Sequence, residues 1–255
     1  MTRVVAVIPA RMGSSRFPGK PLIDFHGIPM VEHVPRRAVR SGAFSQVVVA
    51  TCDREIADAV ETAGGGVIMT ASSHVAATDR VAEAAGHLDC THVVNVQGDE
   101  ILVLPEDLRH MVDAIHANPS GAAWNAVARI ENAGELSDSS IVKCVVSRSL
   151  RVMACGRDLS KVRFGSQFDP IRKVLGILAF DRSFLAKYSS LERTPLEVAE
   201  SIDQSRIIEH DVSLQGVEFR CGYPGINEPH EVALVEKYLN EDSVQQAVLN
   251  EILVG

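Results

Sequence analysis

Four short runs of apolar, largely β-branched residues recur in the first hundred positions, at 4–8, 46–51, 66–69 and 92–96. Runs of this length and composition are typical of strands buried on both faces of a parallel sheet. Each run is followed by a segment with helical periodicity, and parallel strands need such crossover connections. The sequence therefore predicts an α/β fold with a mostly parallel central sheet.

The helices between these runs are marked by apolar stripes and by residues that begin or end helices. One stripe follows Pro29, and another, over 56–63, stops at three consecutive glycines. A third helix is predicted to begin near Thr78. Pro105 suits the first turn of a fourth helix, which should end before Asn118.

The second half of the chain has shorter and less regular runs. The candidate strands are 124–130, 141–146, 151–154 and 174–180; helices resume near Asp181 and return at about 231–239 and 244–253. This pattern predicts a smaller, mixed α+β subdomain. No repeat or Gly/Ser-rich linker marks a domain boundary, so we expect one domain over residues 1–255.

The charge balance excludes several classes of partner. The 255 residues include 25 Lys and Arg and 33 Asp and Glu, which gives a formal net charge of -8. The field of such a chain repels nucleic acids and anionic membranes, so we expect neither as a partner. The first apolar run stops at Pro9, too short for a signal peptide or a membrane span, and a cytoplasmic protein is expected. An anionic substrate would then need a local basic site.

Such a basic segment follows the first predicted strand. Residues 9–22 read PARMGSSRFPGKPL and combine two Arg, one Lys, two Ser and two Gly. Ligands of open α/β sheets bind at the carboxyl ends of strands, where glycines admit close backbone approach and cations neutralise phosphates. The pattern is neither a Walker A motif nor the GxGxxG motif of NAD-dependent enzymes. The alternative is a solvated basic turn.

Asp99 is the candidate metal ligand. It follows the strand at 92–96 through a Gln97-Gly98 turn, which presents a carboxylate at the edge of the sheet. Because Mg²⁺ binds one or two carboxylates together with phosphate oxygens and water, one well-placed Asp is a sufficient anchor. The alternative is that Asp99 only caps the next segment.

The order of residues in the basic segment resembles the nucleotide-binding loop of the 3-deoxy-manno-octulosonate (Kdo) cytidylyltransferase, or CMP-Kdo synthetase, family. Further resemblances follow in the family's order over nearly the whole chain. They are VVVATCDREIADAVETAGGGVIMT at 47–70, TDRVAEAA at 78–85, VVNVQGDE at 93–100, IVKCV at 141–145, and the later TPLEVAES and GINEP. The chain is thereby identified as a divergent member of that family.

The resemblance implies a Rossmann-like nucleotidyltransferase fold and a reaction in which an acceptor oxygen attacks the α-phosphorus of CTP and pyrophosphate leaves. It implies a nucleotide-binding part at about 1–120, an acceptor-binding and dimerisation part at about 121–255, and Mg²⁺ as cofactor. Arg11, Lys20 and Asp99 would be catalytic. The nucleotide would contact Ala10, Arg11, Gly13, Ser14, Ser15, Arg16, Lys20, Thr78, Arg80 and Gln97. The acceptor would contact Arg157, Glu200 and Asp203, and the metal would be bound by Asp99 and Asn227.

Three departures from the family bear on the acceptor. Val174 and Leu178 stand where Kdo enzymes carry His and Tyr, and Asn227 replaces the second metal carboxylate. An amide binds Mg²⁺ more weakly than a carboxylate does. A more anionic acceptor, such as a phosphonate, would suit a less anionic site.

Three functional alternatives therefore stay open: the same chemistry on Kdo, the same chemistry on a phosphonate or another ulosonic acid, and a regulator that binds nucleotide without turnover. Four histidines invite a catalytic role, but none has a spacing that pairs it with a nucleophile. His26, His33, His74 and His230 are assigned structural or surface roles.

Overall fold

A computed structural model describes residues 2–13, 16–74, 76–162 and 169–254. The chain divides into two compact units. Unit 1 comprises Met1–Asp113 and Tyr223–Gly255, and unit 2 comprises Ala114–Gly222. The sequence-based division instead placed residues 223–255 with the second half.

Eleven strands are present in the described residues. They are β1 (Val4–Pro9), β2 (Asp24–Phe25), β3 (Ile28–Pro29), β4 (Gln46–Thr51), β5 (Gly66–Met69), β6 (His92–Val96), β7 (Ala123–Arg129), β8 (Lys143–Val146), β9 (Arg151–Gly156), β10 (Ile171–Asp181) and β11 (Leu214–Glu218).

The described residues also form nine α-helices. They are α1 (Met30–Ser41), α2 (Arg54–Thr62), α3 (Ala77–Gly86), α4 (Pro105–Ala117), α5 (Arg182–Tyr188), α6 (Pro195–Glu200), α7 (Asp203–Glu209), α8 (Glu231–Glu241) and α9 (Ser243–Val254). Lys20–Leu22 and Ala133–Leu136 form short 3-10 helices. No helix of this described part is long and apolar enough to cross a membrane.

Unit 1 contains the predicted parallel sheet, in the order β5-β4-β1-β6. Its centre is β1, where Val7 lies beside Val48 of β4 and Asn95 of β6. Residues 4–8 are buried because both neighbouring strands and the helices cover them. The α/β prediction for this half is confirmed.

The C-terminal helix α9 belongs to unit 1 because it packs against α1. The guanidinium of Arg36 donates to the carbonyl oxygen of Ile252 at 2.9 Å, and Arg40 pairs with Glu251 at 2.7 Å. Buried Gln245 donates to the carbonyl oxygen of Leu102 at 2.7 Å. These long-range contacts explain why residues 223–255 group with the first hundred.

Unit 2 is the mixed α+β part that the sequence predicts. Its strands follow the order β10-β7-β11-β9-β8, and β8 also pairs with β10, so the five strands form a closed set. Only the pair β11–β7 is parallel among the strand pairs described in this unit. β11 was not among the predicted strands.

A buried ion pair stabilises the helical side of unit 2. The Glu197 carboxylate accepts from Arg206 Nε at 2.8 Å and from Arg193 Nε at 3.0 Å, and the Arg206 guanidinium lies 4.7 Å from the centre of the Tyr188 ring. Burial raises the pKa of Glu197, but the hydrogen bonds from the two arginines outweigh that effect and leave the pKa below its usual value.

Candidate functional site

A cavity of about 230 Å³ lies in unit 1 at the carboxyl ends of β1 and β6. Four basic side chains and one carboxylate are among the residues that line it: Arg11, Arg16, Lys20, Arg80 and Asp99. The edge of the sheet at which parallel strands end is where α/β proteins bind ligands. The excess of positive charge suits a polyanion such as a nucleoside triphosphate.

The basic loop is held in place by backbone contacts. The N–H of Met12 donates to the Asp53 carboxylate at 2.8 Å, and the N–H of Gly19 donates to the Met12 carbonyl oxygen at 3.2 Å. Gly19 has a φ of +76°, a conformation that glycine adopts without steric cost. The hydrogen bond between Gly19 and Met12 therefore closes the loop, and the bond from Met12 attaches it to Asp53, the residue directly before α2.

The turn that carries Asp99 is fixed by a close approach to β1. A Cβ on Gly98 would lie 3.2 Å from the carbonyl oxygen of Pro9, so glycine suits this position. The N–H of Glu100 closes the turn on the Gln97 carbonyl oxygen at 3.1 Å, and the N–H of Ile226 donates to the Asp99 carbonyl oxygen at 3.2 Å. These contacts present the Asp99 side chain to the cavity.

Lys20 connects the basic loop to this turn. Its Nζ lies 3.0 Å from Asp99 Oδ2 and 2.6 Å from the carbonyl oxygen of Ile226. Both side chains are largely shielded, with 15% and 17% of their surfaces exposed. The ammonium and the carboxylate compensate each other's charge at a point where phosphate and metal would compete for them.

Asn227 lies beside the same cluster. Its Oδ1 accepts from Arg16 Nη2 at 3.2 Å. The carboxylate of Glu231, at the start of α8, accepts from the N–H groups of Asn227 and Glu228 and so fixes this segment. The structure thus brings Asn227 to the basic loop, although the two are 211 positions apart along the chain.

The segment before α3 and α3 itself also contribute to the cavity. His74, Ala76, Ala77 and Arg80 line it. Arg80 is buried, donates to Thr70 Oγ1 and has Nη2 3.4 Å from Cys52 Sγ. These contacts hold its guanidinium against the ends of β4 and β5.

Most predicted nucleotide contacts meet at this cavity. Ala10, Arg11, Arg16, Lys20, Arg80, Gln97 and Asp99 line it. Thr78 is buried in the first turn of α3, and Gly13 is exposed within the basic loop, but neither is a lining residue. Ser14 and Ser15 lie outside the described residues.

The predicted acceptor contacts, Arg157, Glu200 and Asp203, cluster within unit 2. Arg157 Nε donates to the Glu200 carbonyl oxygen at 2.8 Å, and its Nη1 donates to the Ser139 carbonyl oxygen at 2.7 Å. The backbone N–H of Arg157 donates to the Glu200 carboxylate at 3.2 Å. Asp203 begins α7, and its carbonyl oxygen accepts from Tyr188. Arg157 therefore already ties strand β9 to the end of α6.

The donors around Asp99 fit a magnesium ion that also binds phosphate. Among the described residues no group of three or more His, Cys, Asp or Glu could hold a metal. Asp99 is instead a single shielded carboxylate in a basic cavity, with the amide of Asn227 nearby. That set matches the way Mg²⁺ binds, through one or two carboxylates, substrate phosphates and water.

Two contributors to the site were not predicted from the sequence. Asp53 positions the basic loop through Met12, and His74 lines the cavity although it was assigned a structural or surface role. An Asp directly before a helix after a buried strand is a detectable signal, because it lies at the same sheet edge as the loop. No comparable feature of the sequence indicated that His74 lines the cavity.

Comparisons with known proteins agree with this geometry. A family model described as cytidylyltransferase matches residues 5–214. The 3-deoxy-manno-octulosonate cytidylyltransferase of Syntrophobacter fumaroxidans is 37% identical over 95% of this chain and 99% of its own length. The 8-amino-3,8-dideoxy-manno-octulosonate cytidylyltransferase of Shewanella piezotolerans is 33% identical over 94% and 99%.

A solved structure of CMP:2-keto-3-deoxy-manno-octonic acid synthetase complexed with CTP superposes with a TM-score of 0.89. It is 32% identical and covers 94% of this chain and 100% of its own. The α/β fold and the basic cavity at the sheet edge define a nucleotidyltransferase. The chain belongs to the cytidylyltransferase family that contains these enzymes.

Proposed function

We propose that this protein transfers CMP from CTP to a Kdo-type sugar acid and releases pyrophosphate. The observation that carries the proposal is the cavity lined by Arg11, Arg16, Lys20 and Asp99, in which Lys20 is paired with Asp99. The relative solved with CTP and the relatives named for Kdo and 8-amino-Kdo support the choice of nucleotide and of acceptor class.

The basic loop would bind the triphosphate. Negative charge moves from the α-phosphoryl group to the pyrophosphate leaving group during transfer, so fixed cations stabilise the transition state more than the substrate. Arg11, Arg16 and Lys20 supply that charge from one segment, in which the N–H of Met12 is hydrogen-bonded to Asp53. Alignment and charge compensation require no covalent intermediate.

Asp99 would hold Mg²⁺, with Asn227 as a weaker second oxygen donor. When bound, the ion would make the acceptor hydroxyl easier to deprotonate and shield the phosphoryl oxygens. Its charge would replace that of Lys20 at the Asp99 carboxylate, which leaves the Lys20 ammonium to bind phosphate. We also propose that Arg157, Glu200 and Asp203 contact the acceptor. A homodimer and a cytoplasmic location are proposed as well.

A phosphonate is the second candidate acceptor, because of Asn227. The side chain that would otherwise add a negative charge is an amide, and its oxygen accepts from Arg16. Three basic side chains of the loop, Arg11, Arg16 and Lys20, therefore line the cavity with one carboxylate, Asp99. A phosphonate carries more negative charge than a sugar carboxylate and gains more from that excess.

Pyrophosphate release with CTP and Mg²⁺ tests the proposal. The acceptors are Kdo, 8-amino-Kdo, a nonulosonic acid and several phosphonates, each assayed at equal concentration. Release with Kdo or 8-amino-Kdo supports the main proposal. Release with phosphonates alone supports a phosphonate as the acceptor instead. CTP binding without release for any acceptor indicates a regulator.

Asp99→Ala tests the role of the carboxylate. We expect turnover to fall by about 100-fold or more, because metal and acceptor lose their anchor, whereas CTP binding largely survives on the basic loop. Asp58→Ala is the matched control, since Asp58 is an exposed carboxylate on α2 that pairs only with Arg54 in the described contacts. Equal activity of the two variants would remove Asp99 from the site.

A further inference from the structure

Two cysteines of unit 2 lie directly opposite each other on neighbouring strands. Cys144 of β8 is in register with Cys155 of β9, and both are free thiols. Directly opposed side chains of an antiparallel pair point to the same face of the sheet and are neighbours there. Burial raises the pKa of Cys155, and the Cys144 thiol raises it further, as expected for two sulfur atoms that lie close together.

The backbone hydrogen bonds of β8 show in which direction Cys144 directs its own backbone groups. The N–H of Val146 donates to the Pro170 carbonyl oxygen, and the N–H of Val174 donates to the Val142 carbonyl oxygen, each at 2.8 Å. Positions 142 and 146 therefore both direct backbone groups toward β10. Because this direction alternates along a strand, position 144 between them does the same.

On its other side β8 pairs with β9, so Cys144 and Cys155 form a non-hydrogen-bonded pair. In such pairs the Cα atoms are about 4.5 Å apart, and the side chains are closer than in hydrogen-bonded pairs. A disulfide joins Cα atoms that are about 4.4–6.8 Å apart. The two strands therefore already have the spacing that a disulfide requires.

The two thiols differ in access and in their surroundings. Cys144 is fully buried, whereas Cys155 is partly exposed. Burial raises the pKa of Cys144, and the charge of Arg172, which lies opposite it on β10, opposes that effect. Cys155 is therefore the thiol that a reagent from solution reaches first, and Cys144 is the thiol next to it.

We propose that Cys144 and Cys155 form a reversible disulfide between β8 and β9. The oxidant is a low-molecular-weight disulfide such as oxidised glutathione. The Cys155 thiolate attacks one sulfur of that disulfide, whose S–S bond breaks and releases one thiol. Cys144 then attacks the Cys155 sulfur and releases the second thiol. Two electrons and two protons thereby pass from the cysteine pair to the two thiols that leave.

This disulfide makes the stability of unit 2 depend on redox conditions. It closes the hairpin formed by β8 and β9 into a loop, which lowers the entropy of the unfolded chain, so the oxidised protein unfolds at a higher temperature. Strand β9 ends at Gly156, directly before Arg157, so the cross-link also holds the strand that leads to this residue. The inference goes beyond the proposed function and does not depend on it.

Oxidation of the full-length protein over a series of glutathione redox ratios tests the pair. The reaction is run at about pH 8.5, where more of each thiol is ionised than at neutral pH. Remaining thiols are alkylated, and tryptic peptides are analysed by mass spectrometry without reduction. Trypsin places the two cysteines in separate peptides, CVVSR and VMACGR, so the disulfide is detected as one linked peptide that dithiothreitol separates.

We expect the linked peptide to be the main oxidised product of the unaltered protein. The midpoint of thermal unfolding should rise by about 5 °C on oxidation and return after reduction. Cys144→Ala should stop at a mixed disulfide between Cys155 and glutathione and should lose this rise. Cys155→Ala should leave Cys144 reduced, because Cys144 is buried. Cys221→Ala is the matched control, a partly exposed cysteine of the same unit, and should still form the linked peptide.

Three results in the unaltered protein would overturn the inference. They are thiols that stay reduced at every redox ratio, a Cys155 that carries glutathione while no linked peptide forms, and a linked peptide that appears only after urea unfolds the protein. Each is read from the unaltered protein, so a variant that fails to fold leaves the test intact. Pyrophosphate release is not measured here, so failure of the proposed transfer reaction does not alter the outcome.

Discussion

His33 should make the stability of unit 1 depend on pH. It is fully buried in α1, its Nε2 lies 3.1 Å from the carbonyl oxygen of Phe25, and its ring meets the Phe25 ring edge-on at 6.0 Å. Burial lowers the pKa of His33 from 6.5 to about 4, and the charge of Arg37 lowers it further, against the opposing effect of the Phe25 hydrogen bond.

The sign follows from proton binding. Between pH 6.5 and about 4 the unfolded chain protonates this imidazole and the folded protein does not, so the free energy of unfolding decreases as the pH falls. The full difference corresponds to about 3 kcal/mol, of which about 2 kcal/mol falls between pH 7 and pH 5. Solvent screens this imidazole little, because its side chain is not exposed.

Urea unfolding followed by circular dichroism at pH 7 and pH 5 measures this effect in the unaltered protein and in His33→Gln. The Gln amide can still donate to Phe25 but does not titrate. We expect the unaltered protein to lose about 2 kcal/mol more than the variant does. His110→Gln, which changes an exposed histidine on α4, should behave like the unaltered protein. The reasoning is refuted if His33→Gln loses as much stability as the unaltered protein.

Two further predictions concern charge at other points. Asn227→Asp should lower the Mg²⁺ concentration for half-maximal pyrophosphate release by about fivefold, since a carboxylate binds Mg²⁺ better than an amide; an unchanged Mg²⁺ titration would place Asn227 away from the metal. Glu197→Gln should lower the free energy of unfolding by about 3 kcal/mol, because it leaves the Arg206 guanidinium buried without its counter-charge; the midpoint of urea unfolding measures this loss, and an unchanged midpoint would show that the pair is dispensable.

The predictable part of the fold is the part governed by local pattern. Strands β1, β4, β5 and β6 are short apolar runs, and their alternation with helices admits few arrangements other than a parallel sheet. The loop and the Asp99 turn follow two such strands. Because parallel strands end at one edge, their convergence could be predicted without knowing any long-range contact.

The less predictable part depends on contacts between distant residues. β11 is half-exposed at two of its five positions and has no clean alternation, so its pairing with β7 decides its conformation. A helix at about 244–253 was predicted from the sequence, but only the contacts of α9 with Arg36 and Arg40 show which part of the chain it covers.

The candidate site also has a part that local sequence predicts and a part that depends on contacts between distant residues. The sequence by itself determined the α/β class, the basic loop and the Asp99 carboxylate, because each depends on residues close together along the chain. Only the tertiary structure decided that Asn227 meets Arg16 and that His74 borders the cavity with its ring held by Glu83. An amide or an imidazole has no fixed role in a sequence, since its chemistry depends on which donors and acceptors the fold brings to it.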